Sequence, residues 1–137
     1  MKLREAIYEF FPKKCSQNYK LSDGLIEDDH GDTFNAFEES WVTWDQIENW
    51  QIARSAVVLS YAPRDVAAFL LPRFMVFTLD EIDGNLGEFS GLSASDSAID
   101  FIEIIERRQY DYNGTNFTAS QTETLKKFLE YVRNKQG

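Results

Sequence analysis

The stretch "EDDHGD", residues 27–32, gathers four carboxylates around His30, the chain's single histidine. Clustered carboxylate oxygens are what a hard cation such as Ca²⁺ binds. Counted as an EF-hand loop from Asp28, the sequence puts Asp32 at the fifth position and Glu39 at the twelfth. His30 then falls at the third position, and Thr33 takes the sixth, where glycine is needed for the sharp turn. A solvated acidic loop is the better expectation. Zinc and iron sites draw on several His and Cys ligands, and this chain has one of each. No metal and no cofactor are expected.

Nucleophilic chemistry fares no better. Cys15 is the only cysteine, and a thiol or hydroxyl nucleophile needs a base beside it. The one imidazole lies in a loop-like segment. No G-x-S-x-G nucleophile elbow occurs. "DGNLGEFSG", residues 83–91, has glycines but neither a Walker loop nor G-x-G-x-x-G. With 23 Asp and Glu some acid pair will always look suggestive. Glu103 and Glu106, three apart on a helix, read as a charged outer stripe rather than an acid/base pair. No catalytic residues are assigned, and a non-enzyme is expected.

The charge layout is more distinctive. The formal net charge is −9 over 137 residues. Residues 21–53 and 74–106 contain Asp and Glu but no Lys or Arg; basic residues are confined to the two ends and to residues 54–73. That balance disfavours a phosphate-neutralising surface, so nucleic acid is not expected as a partner. The natural complement is a basic protein, because opposite fields speed encounter. Trp41, Trp44 and Trp50 lie inside the first acid-only stretch. Tryptophan is a common interface anchor; Trp44 is read as core and Trp41 as the surface candidate.

These groups must be carried by helices. Leu3, Ala6, Ile7 and Phe10 follow i, i+3, i+4, i+7, one apolar helical face, and Pro12 ends that helix. Thr43 is a candidate N-cap for a helix starting at Trp44, with Ile47 and Trp50 extending its apolar side. Residues 56–61 are left open between strand and helix. Pro63 is placed to open the next helix. There Val66, Phe69, Leu70, Phe74 and Phe77 share one face, and Ala67, Leu71, Met75 and Thr78 the adjacent one. A helix apolar around most of its circumference is central and buried, and Pro72 should kink it. Arg73 is expected at the rim, paired with an acid. Residues 80–97 read as loop, and a helix over about 96–109 carries Ala98, Phe101, Ile102 and Ile105. "YDYNGTN" reads as a turn without hairpin flanks. Thr118 and Gln121 form a capping box before Leu125, Phe128, Leu129 and Val132. The expected fold class is mainly α: residues 1–137 as a compact single domain of about five helices around a kinked, buried central helix. No apolar run reaches membrane-span length. No signal-peptide pattern is seen, and a lone cysteine fits a reducing cytoplasm.

"AFLLPRFMVFTL", residues 68–79, resembles the Tyr/Phe-x-Leu-Pro-x-Tyr/Phe run of a family of small bacterial proteins known as a domain of unknown function. The preceding Trp44-to-Ile47 segment, the span from Pro63 to Pro72, and the capped end from Phe117-Thr118 to "FLEYV" at 128–132 extend the resemblance over residues 40–133. Ala62, Arg64-Asp65 and the spacing between the prolines depart from the family's pattern. The resemblance implies a fold and no activity. Many small acidic bacterial proteins of this class are immunity proteins encoded beside secreted toxins. Class and charge together imply a cytoplasmic protein-binding domain that neutralises a toxin by covering a basic site. The candidate acidic and aromatic surface comprises Asp28, Asp29, Asp32, Glu38, Glu39, Trp41, Asp45, Glu48, Asp80, Glu81 and Asp83. The alternative is a regulatory or accessory domain, self-associating and without a toxin partner.

Overall fold

A computed structural model describes residues 2–13, 43–54, 58–61, 64–90, 94–112 and 115–136. Cys15, Pro63, the 27–32 acidic stretch with its calcium-loop reading, Glu38, Glu39 and Trp41 lie outside the described residues. The elements are α1 (Leu3–Phe10), a 3₁₀ turn (Trp44–Gln46), α2 (Asn49–Arg54), α3 (Val58–Tyr61) and α4 (Arg64–Ile82). A second 3₁₀ turn (Gly87–Phe89), α5 (Ala94–Arg107), β1 (Asp111–Tyr112), β2 (Thr115–Asn116) and α6 (Ala119–Gln136) follow. The fold is mainly α, and residues 58–61 are helix.

α4 is the axis. It packs against α1, α2, α3, α5, the first 3₁₀ turn and β2, while α6 lies across α1 and α5. From Ala67 to Leu79 only Ala68 is not buried. Such a helix has no polar side to turn to water. It passes through Pro72 without restarting, although Pro72 has no N–H to offer the Ala68 carbonyl. Thr78, buried among apolar neighbours, satisfies its hydroxyl by donating to the Phe74 carbonyl at 2.9 Å, the usual solution for a hydroxyl within a helix.

The surrounding helices bury the faces that their spacing indicates. Ala6 and Ile7 are buried on α1, with Leu3 and Phe10 packed against the core. Ala98, Phe101, Ile102 and Ile105 are buried on α5. Leu125, Phe128, Leu129 and Val132 are each 1% exposed or less on α6. The α6 capping box is reciprocal: Thr118 N–H donates to Gln121 Oε1 at 3.0 Å, and Gln121 N–H donates to Thr118 Oγ1 at 3.1 Å. Gln121 Nε2 also donates to the Phe10 carbonyl at 3.0 Å, joining the start of α6 to the end of α1.

Four expectations need correction. The helix anticipated from Trp44 is a single 3₁₀ turn, and α2 begins only at Asn49. Ile47 is extended (φ −67°, ψ 128°), and its carbonyl is taken by the Arg73 Nε–H at 2.7 Å. Gln51 then caps the new start, its Oε1 accepting from Glu48 N–H at 2.9 Å. Trp50, expected on the apolar side, is 39% exposed for the same reason. The loop expected over 80–97 is shorter, since α4 runs to Ile82 and α5 begins at Ala94. Finally, β1 and β2 do form a short antiparallel pair, Asp111 opposite Asn116 and Tyr112 opposite Thr115. The pair forms without alternating flanks.

α5 ends in a Schellman motif. Tyr110 N–H donates to the Ile105 carbonyl at 2.8 Å, and Gln109 N–H to the Glu106 carbonyl at 2.9 Å. The position that usually carries glycine is Gln109, at φ 57°. A β-carbon there crowds the following carbonyl at a cost of about 1 kcal/mol. Replacing exposed Gln109 with Gly should therefore raise stability by about 0.5–1 kcal/mol in urea denaturation, offset in part by the freer unfolded chain. A loss of stability would show that the side chain is holding the turn.

Candidate protein-binding surface

Five of the expected surface residues fall among the described ones, and the structure separates them. Arg4 on α1 reaches across to α4, with Nη1 2.8 Å from Asp80 Oδ1 and Nη2 3.1 Å from Asp83 Oδ2. Asp45, in the first 3₁₀ turn, has Oδ2 3.4 Å from Lys13 Nζ. The Thr43 hydroxyl, more than the Lys13 charge, holds the Asp45 carboxyl below the ordinary carboxylate value. These three acids are thus already answered by basic groups of the N-terminal segment. Glu81 is half-buried. Of the five, only Glu48 is exposed and without a basic partner among the described residues. Its Oε2 instead accepts from Trp50 Nε1 at 2.6 Å.

That bond fixes the geometry of an exposed edge. Trp50 and Tyr8, each 39% exposed, are the large hydrophobic side chains most open to solvent among the described residues. Tyr8 lies against buried Trp44, with ring centroids 4.9 Å apart. Lys13 sits 5.9 Å above the Tyr8 ring. Trp50 projects from α2, and α2 packs on the 3₁₀ turn that carries exposed Glu88. The end of the first acid-only stretch therefore adjoins part of the second. On the second stretch, Asp96 and Asp100 of α5 are also exposed and have no basic partner among the described residues. Spacing alone did not single out Glu88, Asp96 or Asp100. Arg4 and Lys13 were visible only as part of a mildly basic N-terminus.

Arg73 departs most from expectation. It is 7% exposed rather than at the rim, and forms no salt bridge among the described residues. Its Nε donates to the Ile47 carbonyl at 2.7 Å and its Nη2 to Asn49 Oδ1 at 2.6 Å. Nη1 has no hydrogen-bond partner among the described residues. Burial lowers the Arg73 pKa from its ordinary value, opposed by the Asp80 carboxylate at longer range. An arginine keeps its charge even so. Its role is to hold the 47–49 segment on α4, and with it the direction of Glu48 and Trp50.

Glu103 and Glu106 are the outer stripe the sequence suggests, with a partner. Arg133 of α6 approaches Glu106 Oε1 at 2.9 Å and Glu103 Oε2 at 3.3 Å. Among the described residues no three His, Cys, Asp or Glu side chains group closely enough to hold a metal ion. No described helix is long and apolar enough to cross a membrane. No family model, curated protein or solved structure matches the chain.

Two outcomes follow. Arg73→Met should cost about 2 kcal/mol in denaturant midpoint, because two charge-assisted hydrogen bonds are lost and the Ile47 carbonyl is left without its partner. A change below about 0.5 kcal/mol, the ordinary scatter of surface substitutions, would remove Arg73 as the clasp. The second concerns acid. The Arg133 hydrogen bond holds the Glu106 carboxyl below its ordinary value of 4.5. A depressed carboxyl stabilises the fold fully above its unfolded value, and the gain is lost as pH falls through the lower folded value. Both partners are solvent-exposed, so the gain is at most about 1 kcal/mol. Arg133→Met should flatten the stability profile below pH 4.5 and leave its shape near neutrality unchanged. An unchanged acid limb would rule the pair out.

Proposed function

We propose that this protein is a small acidic protein-binding domain whose partner is basic, and that it acts as a bacterial immunity protein covering the functional site of a cognate toxin in the cytoplasm. The single observation that carries the reading is the α2 edge. An aromatic side chain is held outward there by a carboxylate, Trp50 by Glu48, beside the exposed Glu88 turn. Interfaces favour this composition: a tryptophan anchor supplies affinity, and surrounding acids steer a cationic partner and suppress wrong ones. The net charge of −9 acts in the same direction, and the resemblance of the 68–79 stretch to small bacterial proteins is compatible with it. Binding of this kind uses no catalytic group, so we read the protein as a non-enzyme.

Asp45, Asp80 and Asp83 contribute less than their number suggests, because a partner must compete with Lys13 and Arg4 for them. Glu48 and Trp50 carry the contact. Immobilised chain should retain a basic protein at low salt and release it at high salt, and co-expression should suppress that protein's toxicity. Trp50→Ala should weaken retention at least tenfold, whereas Asp83→Asn should change it less than threefold. Retention that is indifferent to Trp50→Ala, or no retention at low salt, overturns the reading.

A further inference from the structure

The groove between α3 and α5 has the chemistry of a receptor for one long basic side chain. It encloses about 280 Å³ and is lined by Leu59 and Ser60 of α3, Ser97, Asp100, Phe101 and Ile104 of α5, and Arg108 just beyond it. On α5 these residues recur at i, i+3, i+4, i+7 and i+11, so they form one continuous strip of the helix. Leu59 and Phe101 are 1% and 6% exposed and give an apolar floor. Asp100 is exposed and has no ion-pair or hydrogen-bond partner among the described residues. Asp96, one turn earlier on the same helix, is exposed as well. The carboxylate end of the groove is therefore negative and uncommitted. The other end carries Arg108, about 12 Å away at the helical rise per residue, and Arg108 already has an interaction of its own.

Size and polarity select the occupant. Small-molecule sites start at roughly 300 Å³ and enclose most of their ligand, so this groove is small for one. An aliphatic stem ending in a cation fits it: such side chains lay their methylenes on apolar surface and keep the charged head at the polar edge. We propose that the groove takes a single lysine or arginine side chain of a basic protein partner. The stem lies over Leu59, Phe101 and Ile104, and the head group meets Asp100 with the Ser60 and Ser97 hydroxyls as further acceptors. The carboxylate of Asp100 lies toward one end of the strip, and this fixes the direction of insertion. The proposal rests on the protein-binding reading and deepens it by adding a second, directional contact on a face carried by α3 and α5.

The test uses the full chain with capped single amino acids as probes, N-acetyl-lysine methylamide against N-acetyl-norleucine methylamide, followed by amide chemical-shift titration. The lysine probe should give saturable shifts confined to Leu59, Ser60, Ser97, Asp100, Phe101 and Ile104, and the norleucine probe should bind at least fivefold more weakly. Asp100→Asn should weaken the lysine probe at least fivefold, and Ser97→Lys, which places a cation in the groove from within, should abolish its shifts. Equal response to both probes overturns the proposal, as do shifts scattered over all acidic positions or binding unchanged by both variants. Failure here with a basic protein still retained at low salt refutes the groove alone. Saturable lysine binding without any retained protein supports the groove and removes the wider reading.

Discussion

A cation placed on the central helix is the constraint around which this molecule is arranged. Arg73 is 7% exposed on the element that α1, α2, α3 and α5 all pack against. Withdrawing a guanidinium from water costs several kcal/mol unless its N–H groups find acceptors. The acceptors it finds are neutral: the Ile47 carbonyl and Asn49 Oδ1. Meeting that need draws Ile47 and Glu48 out of helical geometry and breaks what could have been one helix into a 3₁₀ turn and α2. The remaining charge is balanced at longer range by Asp80, and Asp80 is itself clasped by Arg4. A line of alternating charge thus runs from the buried face of α4 to the surface of α1.

The sequence read well wherever local periodicity and tertiary packing agree. α1, α5 and α6 each show one apolar stripe, and each buries it. The Thr118–Gln121 box and the Pro12 stop are local chemistry with local consequences. α4 was legible for a different reason, since a helix apolar on both adjacent faces has nowhere to go but the centre. The start of α2 was illegible because its cause lies 26 residues away along the chain. No window around Trp44 contains Arg73. The same displaced start turned Trp50, expected on the apolar side, toward solvent.

The candidate surface was legible as charge and illegible as pairing. Two acid-only stretches are countable from sequence. That Asp80 and Asp83 are answered by Arg4 depends on α1 lying beside α4, a contact spanning 76 and 79 residues. Spacing along one helix gives no hint of it. For Glu103 and Glu106 the stripe was visible and its partner was not, because Arg133 belongs to a helix that reaches α5 only after the β1–β2 turn.

Pairing divides the acids into two physical roles. Steering at a distance responds to the summed charge, and over a Debye length of about 8 Å or more a paired Asp80 and Arg4 act as a neutral dipole. The excess negative charge among the described residues is carried instead by groups such as Glu48, Glu88, Asp96 and Asp100. Close contact also requires uncommitted groups, since a carboxylate already bonded to an arginine must give up that bond to make another. Long-range attraction and short-range recognition therefore fall on the same small set, and that set lies where Trp50 and the α3–α5 groove supply apolar surface. Asp45, Asp80 and Asp83 are tied to basic groups of the same chain, and the acids beside the exposed tryptophan and the groove remain free to meet a partner.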